Sequence, residues 1–219
     1  MRHGQKRNSS PNSKLTGIVG NLSLASRIRL ICLGAMFVLG FISLTIFYGP
    51  NEFQKQYYPL EYKEQIQEAG LRHSVSPYLI SAVIKAESNW DPYANSKVGA
   101  LGLMQIMPET AEDIANKGLV DTSRYKPDNL YDSYTNIEYG TAYLRYLVNR
   151  YHEIEPVIAA YNAGLGNVDK WQKEGRDIRD TIQFPETEKY LHKVVRSKEA
   201  YEHLYPGEFV KPLPSKEKE

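Results

Sequence analysis

Cysteine is almost absent from this chain of 219 residues: Cys32 is the only one, so no internal disulfide can form and the fold must rest on packing. Acidic residues are missing too, but only from one end. Through Asn51 there is no Asp or Glu, while Arg2, Lys6, Arg7, Lys14, Arg27 and Arg29 all fall there. The 26 acidic residues therefore lie beyond Asn51 with 21 of the 27 Lys and Arg, a balance of about −5. A mildly acidic body lacks the basic stripe that a nucleic-acid partner demands, so none is expected. No run of alternating apolar and polar residues reads as a strand, and no internal repeat is present. His73, His152, His192 and His203 are scattered, with no H-E-x-x-H pair, so neither a metal nor another cofactor is expected. A G-x-S-x-G elbow is also missing, and Cys32 sits inside an apolar run, which excludes it as a nucleophile.

That apolar run is the first positive feature. Leu30 to Tyr48 holds nineteen residues without a charge, about 28 Å of helix and enough to span a bilayer core. It exceeds a signal-peptide core, and no small-residue cleavage site comes after it. With the basic residues all before it, the expected topology is a cytoplasmic N-terminus and an extracytoplasmic remainder, with a cleaved signal as the alternative. The expected organisation is a basic cytoplasmic tail over 1–29, a transmembrane signal anchor over 30–48 and a linker over 49–58. One domain over 59–205 comes next, then a Pro- and charge-rich disordered tail over 206–219.

Helical spacing dominates that domain, so the fold class is all-α. Leu60–Ser74 places Tyr62, Ile66 and Ala69 on one face, and Ser76 with Pro77 reads as an N-cap and first helical position. Further helices are expected over 108–116, 134–151, 155–162 and 186–204. The connections 89–107 and 117–131 are irregular and suited to lining a groove.

Within the helix opened by Pro77, Glu87 breaks the pattern. It lies three residues after Ile84, four after Val83 and seven after Ile80, on the face where the period expects another aliphatic side chain. A carboxyl drawn into apolar surroundings keeps its proton near neutral pH, which a general acid requires. The plain alternative is a helix-end surface residue or a partner for a buried Arg. Gln105 is a polar amide among Leu103, Met104, Ile106 and Met107, either satisfied in the core or a substrate hydrogen-bonder. Tyr161 and Asn162 stand at a helix end before Gly164-Leu165-Gly166, which reads as a tight turn.

Three blocks in order, "ESNWDPYANSKVGALGLMQIMPETA", "AAYNAGLGNV" and "PETEKYLHKVV", resemble the soluble lytic transglycosylase (SLT) domain. They cover roughly residues 77–201. The resemblance implies a lysozyme-like helical domain, a bacterial lyase acting on peptidoglycan strands, and Glu87 as the single catalytic acid. It also implies that Ser96, Gln105, Met107, Tyr161, Asn162 and Tyr190 contact substrate. Leu101 stands where many members have Ser. The implied reaction cleaves the MurNAc–GlcNAc β-1,4 bond, with Glu87 first acid and then base, and leaves a 1,6-anhydro-MurNAc end.

The acids themselves agree with a one-carboxylate chemistry. Asp91 precedes Pro92 and reads as turn chemistry, while Glu109 and Glu112 fit the start of a helix; no acid other than Glu87 is expected on an apolar face beside a motif. Ordinary glycosidases need two. A muramidase of the same fold and an idle peptidoglycan-binding module are the rival readings. The topology is open to direct measurement. In cells stripped of any outer barrier, added protease is expected to digest the domain and spare an N-terminal tag. Protection of the domain would reverse the orientation.

Overall fold

The computed structural model of the chain describes residues 23–173 and 177–210. The chain divides into two compact units, Met1–Phe53 and Gln54–Glu219. Helix α1, Leu24–Tyr57, supplies what is described of the first. Its window Leu24–Ser43 is long and apolar enough to cross a membrane, and Phe37, Phe41 and Leu33 lie exposed along it. Residues 49–57 are helical, not the linker expected from Gly49 and Pro50; Glu52, Gln54, Lys55 and Gln56 are good helix formers that carry α1 to Tyr57. The expected N-terminal tail lies outside the described residues, except for its part within α1.

The second unit is helical, with no strand among the described residues beyond isolated bridges at Asn95, Leu101 and Ile106. Its helices are α2 Lys63–His73, α3 Pro77–Glu87, α4 Pro108–Asn116, α5 Ser133–Tyr151, α6 Ile154–Ala163, α7 Leu165–Gln172, α8 Ile178–Thr181 and α9 Pro185–Leu204. The all-α, lysozyme-like expectation agrees with this architecture. Helix α3 is the central element. Ile80, Val83 and Ile84 are fully buried, each worth roughly 1.5–3 kcal/mol of transfer from water. Helix α9 packs on α3 and α6, and α5 packs on α2 and α6.

Several boundaries differ from the sequence reading for local reasons. Ser76 precedes α3 but its side chain makes no capping bond; the first turn is closed by its carbonyl, which accepts from Leu79 and Ile80. Helix α5 begins at Ser133 because the Asp132 carboxylate accepts from the Thr135 amide (2.9 Å) and hydroxyl (2.8 Å). Gly164, at φ 81°, ends α6 and also opens α7, a helix that the tight-turn reading missed. Buried Val168 and Trp171 with Leu165 carry its three-residue spacing. The expected disordered tail is ordered at its start: Phe209 is buried edge-on against Tyr78 (5.2 Å), and the Gln67 amide exchanges hydrogen bonds with the Val210 main chain.

One further acid is buried, away from the motif blocks. Glu138 on α5 is 2% exposed and is held by Arg72 (2.7 Å) and His73 (2.9 Å) from the end of α2. Burial alone would raise its pKa; the His73 and Arg72 contacts outweigh that and hold it below the ordinary carboxylate range. A lowered folded-state pKa means stability that is present at neutral pH and lost as pH falls through it. Glu138→Gln is expected to cost about 2–3 kcal/mol at neutral pH, less than a wholly buried pair because Arg72 is partly solvated. The deficit relative to wild type should shrink on acidification, as read by thermal melts across pH. A deficit independent of pH would show that the ion pairs do not carry it.

Candidate active site

Helix α3 ends at Glu87. Just beyond it, Asn89 (φ 53°) and Trp90 (φ 73°) both take left-handed conformations, a local cost of order 1 kcal/mol or more for each. Burial of Trp90 holds them there: its indole N–H donates to the Tyr201 hydroxyl (3.0 Å) and its ring stacks on Tyr62. The chain therefore turns away sharply and leaves Glu87 at the helix terminus, half-buried.

That position makes ionisation costly. Desolvation pushes the Glu87 pKa up to about 7, despite the hydrogen bond from Tyr190 and the nearby Lys193 charge, which both favour the carboxylate. The carbonyl end of α3 opposes a negative charge as well. The Tyr190 hydroxyl donates to Oε1 at 2.7 Å. Lys193, one turn on, donates to the Ala86 carbonyl at 2.6 Å, so two residues of α9 fix the end of α3. Burial and the Glu87 charge raise the pKa values of Tyr190 and Tyr161 well above the usual range, so both remain neutral donors.

A loop shaped by α5 supports the other residues. Asn136, 1% exposed, accepts from the Met104 amide (2.7 Å) and donates to the carbonyls of Leu101 and Leu130 (both 2.8 Å). Gly102, at φ 73°, lies so close to Asn136 and the Leu130 carbonyl that a Cβ would collide with them. Four residues after Asn136, Gly140 admits the Met104 side chain against α5, where a Cβ would strike its sulfur. The Met104 carbonyl accepts from the Tyr161 hydroxyl at 2.9 Å. Met104 is thus tied at both its amide and its carbonyl, one to α5 and one to α6.

Gln105 comes next in a left-handed conformation (φ 49°). Its amide N–H groups donate to the carbonyls of Ala94 (3.1 Å) and Gly102 (2.9 Å), which commits the nitrogen to the loop; the residue lines a pocket of about 280 Å³. Gln105, Met107, Tyr161 and Asn162 all line that pocket, with Thr110 and Tyr143. The sequence reading named the first four and missed the last two. Tyr143 packs 5.4 Å from Tyr161. Asn162 accepts from Thr187 (2.8 Å) and so joins α6 to the start of α9. Ser96 is not in the lining. Its hydroxyl accepts from the Ala100 amide (2.9 Å) and closes the 96–100 turn. Leu101 contributes its main chain to the loop, bonded to Ile106 and Asn136, so no side-chain hydroxyl is needed at this position to hold it. Asp91 accepts from the Tyr93 amide in an exposed turn, as the sequence implied. Among the described residues no cluster of His, Cys, Asp or Glu could hold a metal.

The family model described as the Transglycosylase SLT domain matches residues 64–184. The chain belongs to that family. It is 34% identical over 154 residues to the soluble lytic murein transglycosylase of Salmonella typhimurium, covering 67% of this chain and 24% of that protein. It is 33% identical over 189 residues to the membrane-bound lytic murein transglycosylase C of Edwardsiella ictaluri, covering 74% of this chain and 52% of that one. The crystal structure of the 70 kDa soluble lytic transglycosylase of Escherichia coli superposes with a TM-score of 0.65 at 30% identity, over 75% of this chain and 28% of that one. The chain thus spans about a quarter to a half of the length of these relatives.

The Tyr190 bond has a measurable consequence. Tyr190→Phe removes an interaction that lowers the Glu87 pKa, so the carboxyl should titrate above the wild-type value of about 7. Carboxyl-carbon NMR of labelled protein reads both. An unchanged midpoint would mean that the hydroxyl does not bear on the carboxylate.

Proposed function

We propose that this chain is a membrane-anchored lytic transglycosylase that cleaves the MurNAc–GlcNAc β-1,4 bond of peptidoglycan, with α1 as the anchor and the helical domain outside the cytoplasm. The observation that carries the reading is Glu87 itself: a half-buried carboxyl with a pKa near 7, one oxygen held by Tyr190, and Lys193 as the one charged side chain bearing on it among the described residues.

At neutral pH a large share of Glu87 is protonated, and it gives that proton to the bridging oxygen as the C1–O bond breaks. The leaving sugar departs as an alcohol. Glu87 is now a carboxylate, stabilised by the Tyr190 hydroxyl. It takes the proton from the muramyl 6-hydroxyl as that oxygen bonds to C1, closing the anhydro ring and restoring the acid. No water enters the balance. An oxygen on the same ring competes well with bulk water because intramolecular attack reaches effective molarities of about 10⁵ M and above. The substrate's own N-acetyl group fills the place of the missing second carboxylate. Around this centre the Gln105 oxygen and the Asn162 amide supply hydrogen bonds, while Met107 and Tyr161 wall the pocket. Ser96 shapes the loop beside it and keeps a hydroxyl proton to offer.

Glu87→Gln keeps the shape and cannot deliver the proton, so turnover should fall at least about 10²-fold. A raised folded-state pKa means that stability is lost as pH rises from the ordinary 4.5 towards 7. The variant should therefore melt higher than wild type at about pH 8 and no higher at about pH 4. Mass spectrometry of a murein digest should show muramyl ends one water lighter than a hydrolase gives. Products carrying the added water would make the protein a muramidase.

A further inference from the structure

The domain holds a second cavity, of about 300 Å³, that shares no residue with the pocket lined by Gln105 and Tyr161. Neither Glu87 nor Tyr190 lines it, so it is a site distinct from that of the acid. Tyr57 and Tyr58 form its aromatic side. Lys85 enters it from α3, and Lys189, Lys193 and Arg196 enter it from α9, with His192 and Ser197 beside them. No carboxylate is in the lining. Among the described residues none of these cations pairs with an acid; the ion pairs of the domain are made by other residues.

Lys85 is the informative member. It is 8% exposed, and a lysine that deep is ordinarily matched by a carboxylate. Here the ammonium donates to the Asn89 side chain (2.5 Å) and lies over the Tyr57 ring, 4.4 Å from its centre. Both contacts are with neutral groups, so the buried charge has no counter-ion. Burial and the neighbouring Lys193 charge pull its pKa down; an anion beside it would push the other way and relieve the cost. Ser197, 3% exposed, adds a buried hydroxyl to the same lining. Lys189, His192 and Arg196 are exposed on α9 and carry the positive field out to the surface.

The donors set the class of ligand. Ammonium and guanidinium groups take carboxylates and phosphates, and a hydroxyl bonds either. Four cationic side chains and a hydroxyl, brought in by two helices, offer more donors than the two coplanar oxygens of a carboxylate accept. A tetrahedral phosphate presents oxygens in more than one plane. The place of the cavity in the chain favours one source of that group. Tyr57 is nine residues beyond Tyr48, where the uncharged run ends, no more than about 30 Å of chain even when extended. Tyrosine with lysine and arginine is also the residue set that settles at a lipid headgroup layer. We propose that this cavity binds the phosphate of an anionic phospholipid headgroup and gives the domain a hold on the bilayer in addition to α1. The lipid as source rests on α1 being the anchor proposed above; the phosphate chemistry rests on the lining alone.

The test reads binding directly. The full chain is held in dodecyl maltoside, a detergent without phosphate, and native mass spectrometry measures retention of added phosphatidylglycerol or phosphatidylcholine. Phosphatidylglycerol should bind at least about tenfold more tightly, because phosphatidylcholine neutralises its own phosphate. The double variant Lys189→Glu, Arg196→Glu alters two exposed positions, should fold, and should bring phosphatidylglycerol down to the level of phosphatidylcholine. Lys85→Met should weaken it at least about tenfold from the buried side, and Ser197→Ala about two- to tenfold. The control Lys126→Glu, Lys170→Glu makes the same change in net charge at exposed positions outside the lining and should keep the lipid. Added inorganic phosphate separates the sources. Displacement of the lipid by phosphate makes the phosphate group alone the ligand; displacement only by more phosphatidylglycerol gives the rest of the lipid a share, and either result keeps the site. Equal retention of the two lipids overturns the proposal. So does a double variant that binds as wild type does, or a control that loses as much lipid as the cavity variants. Carbonate extraction of membranes reads the anchor on its own: release of the chain would sink the anchor and leave the binding in detergent standing, so the two failures are separable.

Discussion

Asn136 is the constraint on which the site depends. One buried amide on α5 satisfies a main-chain donor and two main-chain acceptors from the two irregular connections on either side of α4. Removing it would strand those groups inside the protein, at about 1–3 kcal/mol for each. The consequences run outward. Gly102 and Gly140 are glycines because Asn136 and Met104 occupy the space that a side chain would need. Met104 is fixed at its amide by α5 and at its carbonyl by Tyr161, and Gln105 then has little choice of direction. An irregular segment is thereby held as firmly as a helix, which is what positioning by a few tenths of an ångström requires.

The acid is built on the opposite plan. Glu87 is set on its face by the regular period of α3, and what is special about it is where the helix stops. Ending at Glu87, with two left-handed residues close behind it, the helix presents the carboxyl at its least favourable pole and in poorly solvated surroundings. Tyr190 moderates that penalty without cancelling it. The acid-then-base role proposed above needs both states within reach, and a pKa near 7 provides them.

Much of this is legible in the chain. Glu87 betrays itself by standing where an aliphatic residue belongs, a signal that needs only the helical period. The same signal exists at Asn136: Asn136, Gly140 and Leu144 share one face of α5, and an asparagine there is as anomalous as a glutamate on α3. Glu138 is hidden for the complementary reason. Its partners, Arg72 and His73, lie some 65 residues away, so nothing local marks it as paired. Tyr190 meets Glu87 across 103 residues, and its place in the site came from the resemblance of motifs alone. Gln105 is ambiguous in sequence between core and substrate, and the fold shows why: its nitrogen is spent on the loop, yet the residue lines a pocket. Helix α7 and the docking of Phe209 are masked by glycine and proline, which mark a change of direction without specifying the element beyond it.

The start of the domain is coupled to the surroundings of Glu87 by hydrogen bonds at the end of α9. Beyond α1 the chain is fastened to the body by two phenol hydroxyls, Tyr201 to the Pro59 carbonyl (3.0 Å) and Tyr205 to the Tyr58 carbonyl (2.8 Å). Both belong to the end of α9 or the residue after it. Tyr201 also accepts from Trp90, whose burial sets the turn after Glu87. A pull on the chain at Tyr58 or Pro59 reaches α9 through these bonds. From Tyr201 it passes by way of Trp90 into the turn behind Glu87. The fastening is thus also a mechanical linkage between the start of the domain and the end of α3.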